Sequence, residues 1–263
     1  MQVRLDGRRA LITGGSLGVG RAIAARFVEA GAQVVIVARR QEVLGEACAA
    51  IAEAAGAAPT AIAGDVADVG DCARIIRDAV AAVGPIDILV NNAGSSKRGA
   101  FLEVDDATWQ SDLDLKLFAA IRLARLVVPG MIERRWGRII NVLNTGAKAP
   151  PAEGAPTAVT RAAGMALTKV LAGELAPHNV LVNALLVGRI KSDQWVRRHN
   201  AGAASGSNAT LDDYYAEMAS SIPLGRVGEA DEFAAVACLL ASDLGGYVTG
   251  TAINVDGGLC PVV

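Results

Sequence analysis

The run Thr13-Gly14-Gly15-Ser16-Leu17-Gly18-Val19-Gly20 constrains this chain more than any other feature, because of what flanks it. A short apolar run, 10–13, precedes it, and a helical stretch follows from Arg21. Glycines between a strand and a helix let the chain turn sharply and bring backbone amides close to a pyrophosphate. The helix start adds free N–H groups and a favourable dipole. A glycine cluster by itself marks only a turn. Placed between a first strand and a first helix, it predicts a dinucleotide site with Gly14, Ser16, Leu17, Gly18 and Val19 facing the ligand.

The rest of the chain repeats the same rhythm. Apolar, β-rich runs at 10–13, 33–38, 59–63, 86–90, 138–143, 180–186 and 252–255 alternate with helical stretches at 21–30, 42–55, 72–83, 108–135, 158–176 and 230–241. Val34-Val35-Ile36-Val37 is apolar without interruption, the mark of a strand covered on both faces. The order predicts an α/β fold: a doubly wound, Rossmann-type parallel sheet with helices on both faces, as a single domain over 1–263. One segment, 188–223, is too long for an ordinary connection. It reads as two short helices around a glycine- and serine-rich tip at 201–207, flanked by Trp195 and Tyr214-Tyr215. A surface excursion has the same composition, but its place beyond a strand's carboxyl end favours a substrate lid.

Composition excludes several classes. A hydrophobic share of 52% supplies a large core, and a formal charge of −2 without like-charged blocks argues against nucleic acid or an acidic membrane surface as partner. Cys48, Cys72, Cys238 and Cys260 are scattered, and His178 and His199 are the only histidines, so neither a disulfide framework nor a metal site is expected. No apolar run approaches the ~18 residues of a membrane span, and a cytoplasmic location is expected.

The second strand ends in Val37-Ala38-Arg39-Arg40. A site for NAD offers an acidic residue about there to accept from the ribose hydroxyls, and none is present. Arg39 and Arg40 either solvate a helix start or pair with a 2′-phosphate, which a guanidinium does in bidentate fashion. The missing acid places NADP(H) ahead of NAD(H).

Together these residues resemble the short-chain dehydrogenase/reductase family over nearly the whole chain. Thr13 to Gly20 fits its Thr-Gly-x-x-x-Gly-x-Gly motif, and Asp65-Val66 is similar to the pair that contacts adenine. Asn91-Asn92-Ala93-Gly94 matches the motif that follows the fourth strand and lines the cofactor cleft. Gly225-Arg226, Glu232 and the run from Gly250 to Gly258 resemble the family too. The resemblance implies cofactor contacts at Asp65, Val66, Asn91, Ala93, Gly94, Arg161, Gly188 and Ile190. It also implies a homotetramer or homodimer acting on a small molecule.

The reactive centre departs from that pattern. Family members use a Tyr as general acid/base, a Lys that lowers its pKa and holds the nicotinamide ribose, a Ser on the substrate oxygen and a supporting Asn. Carried over by register, the Ser position falls on Asn144, the Tyr position on Thr157, the Lys position on Arg161, and the Asn position is read as Asp114. An alkyl hydroxyl is far less acidic than a phenol (pKa ~10). Arg161 stays protonated, so it donates to oxygens but relays no proton. Asn144 offers an amide to a developing oxyanion. The set binds and polarises an oxygen, and what it lacks is a built-in proton donor.

Three readings follow. In the first, the chain is an NADP(H)-dependent reductase with an altered centre, suited to a conjugated enone or enoyl thioester and a partly apolar substrate. Asp114 (if protonated), Lys148, Tyr214 and Tyr215 are then candidate acids, each with a plainer role as a capping, solvated or packing residue. In the second, it is a catalytically inactive NADP(H)-binding regulator or partner subunit. In the third, it is a non-redox enzyme on the same scaffold; halohydrin dehalogenases also carry Arg for Lys, but they retain Ser and Tyr and lack the phosphate turn. The intact cofactor motifs and the aromatic lid put the first ahead.

Overall fold

The computed structural model describes residues 2–204 and 209–263, so part of the tip expected at 201–207 lies outside the described residues. In chain order the elements are β1 (Arg9–Thr13), α1 (Gly18–Glu29), β2 (Gln33–Ala38), α2 (Gln41–Ala55), β3 (Thr60–Ala63), α3 (Val69–Val83), β4 (Ile88–Asn91), β5 (Arg98–Gly99), α4 (Asp106–Leu113) and α5 (Ala119–Arg134). There follow β6 (Gly137–Asn144), β7 (Ala155–Pro156), α6 (Thr157–Leu175), β8 (Val180–Val187), α7 (Asp193–Ala204), α8 (Leu211–Ala219), α9 (Ala230–Ala241) and β9 (Ala252–Val255). Seven strands form one sheet in the order β3-β2-β1-β4-β6-β8-β9, every neighbouring pair parallel.

Strand periodicity divides the buried residues between two faces. Ala10, Ile12, Val34, Ile36, Ile88 and Val90 pack with Ile23 and Phe27 of α1, Leu44 and Ile51 of α2, and Phe233 of α9. Their sequence neighbours Leu11, Val35, Val37 and Leu89 point the other way, onto Ile75 of α3, Leu123 and Met131 of α5, and Leu175 of α6. The uninterrupted apolar runs are therefore two interleaved cores rather than one. No helix among the described residues is long and apolar enough to cross a membrane.

Two features differ from expectation. The helix read over 108–135 is two helices, α4 and α5, joined by a wide turn at Asp114–Phe118 in which the Ala119 N–H bonds to the Asp114 carbonyl, five residues back. Such π-turns are rare and recur at functional sites. In addition β5 pairs with β7 in a small antiparallel ribbon outside the main sheet, too short to leave a pattern in the sequence. Helices α7 and α8 occupy the long segment after β8, the second opened by a capping box between Thr210 and Asp213.

Strand order reverses between β1 and β4, since β1 is followed by a crossover to β2 on one side while β4 lies on the other. A crevice opens beyond the carboxyl ends of these strands. Its floor requires close backbone approach: a Cβ on Gly20 would lie 2.2 Å from the Gly14 carbonyl and 2.4 Å from Asn92 Nδ2. Gly20→Ala is expected to destabilise the protein by about 1–3 kcal/mol, the usual range for overpacking, read as a lowered midpoint in urea unfolding.

Candidate active site

The crevice is held open by a small hydrogen-bond lattice. The Thr13 hydroxyl accepts from the Asn92 and Ala93 N–H groups, each at 3.0 Å, and the Asn92 carboxamide donates to the carbonyls of Thr13 (3.0 Å) and Gly14 (3.1 Å). The end of β4 thereby clamps the turn after β1. Gly14 and Gly18 take φ values of +64° and +53°, which favour glycine. The Gly18 N–H, in the first turn of α1, donates to the Asp193 carboxylate of α7 at 3.0 Å. This contact joins the turn to α7.

Of the other residues singled out for the cofactor, Ser16 is buried and Leu17 extended at the entrance to α1. Val19 packs partly against the core. Arg39 and Arg40 are exposed at the end of β2, beside the turn whose Gly14 and Gly15 N–H groups bond to the Val37 carbonyl. Neither makes a side-chain hydrogen bond or ion pair among the described residues. Val66 is buried, and the Asp65 carboxylate accepts from the Ala67 N–H at 3.0 Å. Asn91 donates to Asn141 at 2.9 Å, fixing the end of β4 against β6. Gly188 packs on Asp256, where an added Cβ would come within 2.5 Å of the Asp256 Cα, and Ile190 is buried against Gly228.

Deeper in, a cavity is lined by Thr13, Asn91, Lys116, Asn141, Thr160 and Arg161. Arg161, one turn into α6, donates to the Val142 carbonyl at 3.0 Å, and an added Cβ on Gly94 would lie 3.3 Å from its Nη2. Burial pushes its pKa down to about 10, against the pull of Asp112, which leaves it charged at neutral pH. Thr157 opens α6 and is 3% exposed. Asn144 closes β6 with its Oδ1 shut off from solvent. Among the described residues, eight buried side-chain nitrogen or oxygen atoms have no hydrogen-bond partner. Asn91 Oδ1, Asp112 Oδ2, Asn144 Oδ1 and Arg161 Nε, half of them, gather in or beside this one crevice. Buried polar groups are otherwise nearly always paired, so this concentration fits a polar ligand.

Asp114 is not among these groups. Its carboxylate accepts from Gln110 at 2.9 Å and Arg122 at 2.8 Å, and Arg122 also donates to the Ala67 carbonyl at 2.8 Å. The bonds from Gln110 and Arg122 hold it below the usual carboxylate range, so it is neither protonated nor near Thr157. The residue of this helix that turns inward is Lys116, two positions on and within the wide turn, a side chain the sequence reading passes over. Its Nζ donates to both Asp112 Oδ1 and Thr157 Oγ1. The side chains of Lys116 and Asp112 are 4% and 0% exposed. Burial lowers the Lys116 pKa to about 8; Asp112 opposes the shift, while Arg161 and Lys97 add to it.

The remaining candidate acids are engaged elsewhere. Lys148 donates to the Ala252 carbonyl at 2.7 Å, across to β9. Tyr214 and Tyr215 pack with Trp195 on Met218, Ile222 and Val227. The groups of His, Cys, Asp and Glu among the described residues include none that would hold a metal ion.

The chain is similar to known proteins over nearly its whole length. A family profile described as enoyl-(acyl carrier protein) reductase matches residues 14–260. The 3-oxoacyl-[acyl-carrier-protein] reductase FabG of Staphylococcus epidermidis is 34% identical over 96% of this chain and 98% of its own. The L-sorbose reductase of Gluconobacter frateurii, solved with NADPH and L-sorbose, superposes with a TM-score of 0.95 at 33% identity over the whole of both chains. An NADPH-bound short-chain oxidoreductase of Pseudomonas aeruginosa PAO1, described as containing an atypical catalytic center, is 35% identical over 99% of each chain with a TM-score of 0.89. With agreement running from the phosphate turn almost to the carboxyl terminus, the chain belongs to the short-chain dehydrogenase/reductase family of NAD(P)-dependent oxidoreductases.

Proposed function

We propose that the chain is an NADPH-dependent reductase of carbonyl compounds working through an atypical centre. The observation that carries this reading is the gathering of unpartnered polar atoms around Asn144 and Arg161 at the inner end of the crevice. The cofactor is NADP(H): the turn at Gly14, Ser16, Leu17, Gly18 and Val19 receives its pyrophosphate, and Arg39 and Arg40 stand free for the 2′-phosphate. Asp65, Val66, Asn91, Ala93 and Gly94 line the adenosine and ribose path, with Gly188 and Ile190 on the opposite wall. The bound cofactor supplies a hydride to the acceptor carbon.

What the chain itself must do is hold the acceptor's oxygen. Asn144 offers a carboxamide at the end of β6, and Arg161 offers a fixed cation that also reaches ribose hydroxyls. Thr157 contributes a hydroxyl between them and the wide turn. Conjugated enones and enoyl thioesters suit such a site because their charge spreads as hydride arrives, and plain ketones suit it where a proton is at hand. Helices α7 and α8 act as a lid over residues 188–223, tied to the phosphate turn by Asp193. Their aromatic cluster favours a partly apolar substrate. The exposed apolar side chains of Leu126 on α5 and of Val159 and Val170 on α6 support association into a homotetramer or homodimer, to be read from light scattering of the purified protein.

The reading is tested by mixing NADPH-loaded protein with ketones, enones and enoyl thioesters and following NADPH absorbance. Turnover with at least one class is expected. Tight NADPH binding with no turnover would instead mean an inactive binder. Removing the Arg39 charge by Arg39→Ala is expected to weaken NADPH binding about 10- to 100-fold, the worth of a charge-assisted hydrogen bond of roughly 1.5–3 kcal/mol. NADH binding, measured in the same titration, should barely change.

A further inference from the structure

Every group in the crevice that the proposed reduction uses to hold oxygen is a poor acid, yet the reaction consumes a proton. Among the described residues that line the cavity, Lys116 is the side chain whose ordinary chemistry is to carry and release one. It reaches inward from the wide turn, lines the same cavity as Arg161 and Asn91, and is almost wholly buried. Two of its N–H bonds are taken: one goes to the Asp112 carboxylate, which matches its charge, and one to the Thr157 hydroxyl. An ammonium has three donors, so one remains uncommitted among the described contacts. Asp112 also keeps an oxygen without a partner. A lysine whose role was only to bridge α4 and α6 would not require a place on the wall of the cavity.

We propose that Lys116 is the proton donor of this reduction, with Asp112 and Thr157 as the residues that position it. The inference rests on the reductase reading given above. The step balances simply. Bound NADPH would supply the hydride for the new C–H bond, and the carbonyl π pair moves onto oxygen. That oxygen takes a proton from the Lys116 ammonium, whose N–H bond breaks to leave a neutral amine. NADPH is oxidised, the carbonyl is reduced, and solvent returns the proton to Lys116 between turnovers. The groups that face Lys116 are Asp112 of α4, Arg161 of α6 and Lys97 from the loop after β4. The two cations and burial together outweigh Asp112, drawing the ammonium towards the neutral range in which a general acid works best.

The sign of the pH dependence follows. Lys116 must be protonated to act, so kcat/KM for a ketone is expected to be full below a pH of about 8 and to fall above it. K116R keeps the positive charge but gives up no proton at neutral pH. It is expected to lose about 10²- to 10⁴-fold in kcat/KM on ketones while NADPH affinity stays within a few-fold. Removing the carboxylate with D112N leaves the lysine in place without its anion, and should move the alkaline limb to lower pH. A readout independent of turnover uses the unloaded wild-type protein. Trace acetylation across a pH series, scored by peptide mass spectrometry, should show Lys116 titrating below the other lysines.

Wild-type protein that binds NADPH but reduces nothing overturns the reductase reading and this assignment with it. Wild-type turnover with K116R equal to it, or a Lys116 that titrates with the surface lysines, overturns only the assignment of Lys116.

Discussion

The crevice depends on one lattice, the hydrogen bonds by which Asn92 and Thr13 tie the end of β4 to the turn after β1. Parallel strands leave their carboxyl ends with backbone groups that no further residue of the sheet satisfies. At a point where strand order reverses, no crossover helix covers them. Asn92 supplies both of its amide hydrogens to carbonyls there, and Thr13 receives two N–H groups in return. Backbone that would otherwise need water is thus satisfied within the protein, and the turn is fixed before any ligand arrives. The glycines at 14 and 20 follow from this arrangement, since at each an added Cβ would meet Asn92 Nδ2 at 2.9 Å or less.

Charge in the inner crevice obeys a second constraint. Lys116, Asp112 and Arg161 are all drawn largely out of water, and an unpaired buried charge is costly. Asp112 answers Lys116 directly, while Arg161 rests on the Val142 carbonyl with its Nε unpartnered. Two cations and one anion leave a single positive charge facing the cavity. An oxygen that gains negative charge during reduction supplies what this site lacks. The arrangement is therefore better satisfied late in such a reaction than before it, which is the condition for catalysis by preorganised charge.

The layered fold was legible because strand and helix periods differ so plainly. Val34 to Val37 could only be a strand buried on both faces, and the glycine turn could only stand between such a strand and a helix. Register is set by short, regular elements at the inner end of the crevice. Asn144 ends β6 and Arg161 lies one turn into α6, the element ends to which counting from neighbouring motifs leads. Asp114 failed for a physical reason. A helix advances about 100° per residue, so a reading displaced by two positions points nearly to the opposite side. The wide turn at Asp114–Phe118 further breaks the count that an unbroken helix from 108 to 135 assumes. Nothing in Leu113-Asp114-Leu115-Lys116 announces that turn, and a lysine in a helix ordinarily reads as solvated.

That displacement changes what Thr157 and Arg161 mean at the centre. Taken one position at a time, Thr157 and Arg161 offer no ready acid and describe a site that only binds. In three dimensions the long arm that meets Thr157 comes from the facing helix, as Lys116. The Thr157 hydroxyl then becomes an acceptor that orients an ammonium, a task for which a weak acid is sufficient. Arg161 adds a fixed cation, and like charge lowers the proton affinity of its neighbour. Lys116 is thus a proton carrier made more acidic chiefly by burial, to which Arg161 adds a cation that does not itself titrate near neutral pH.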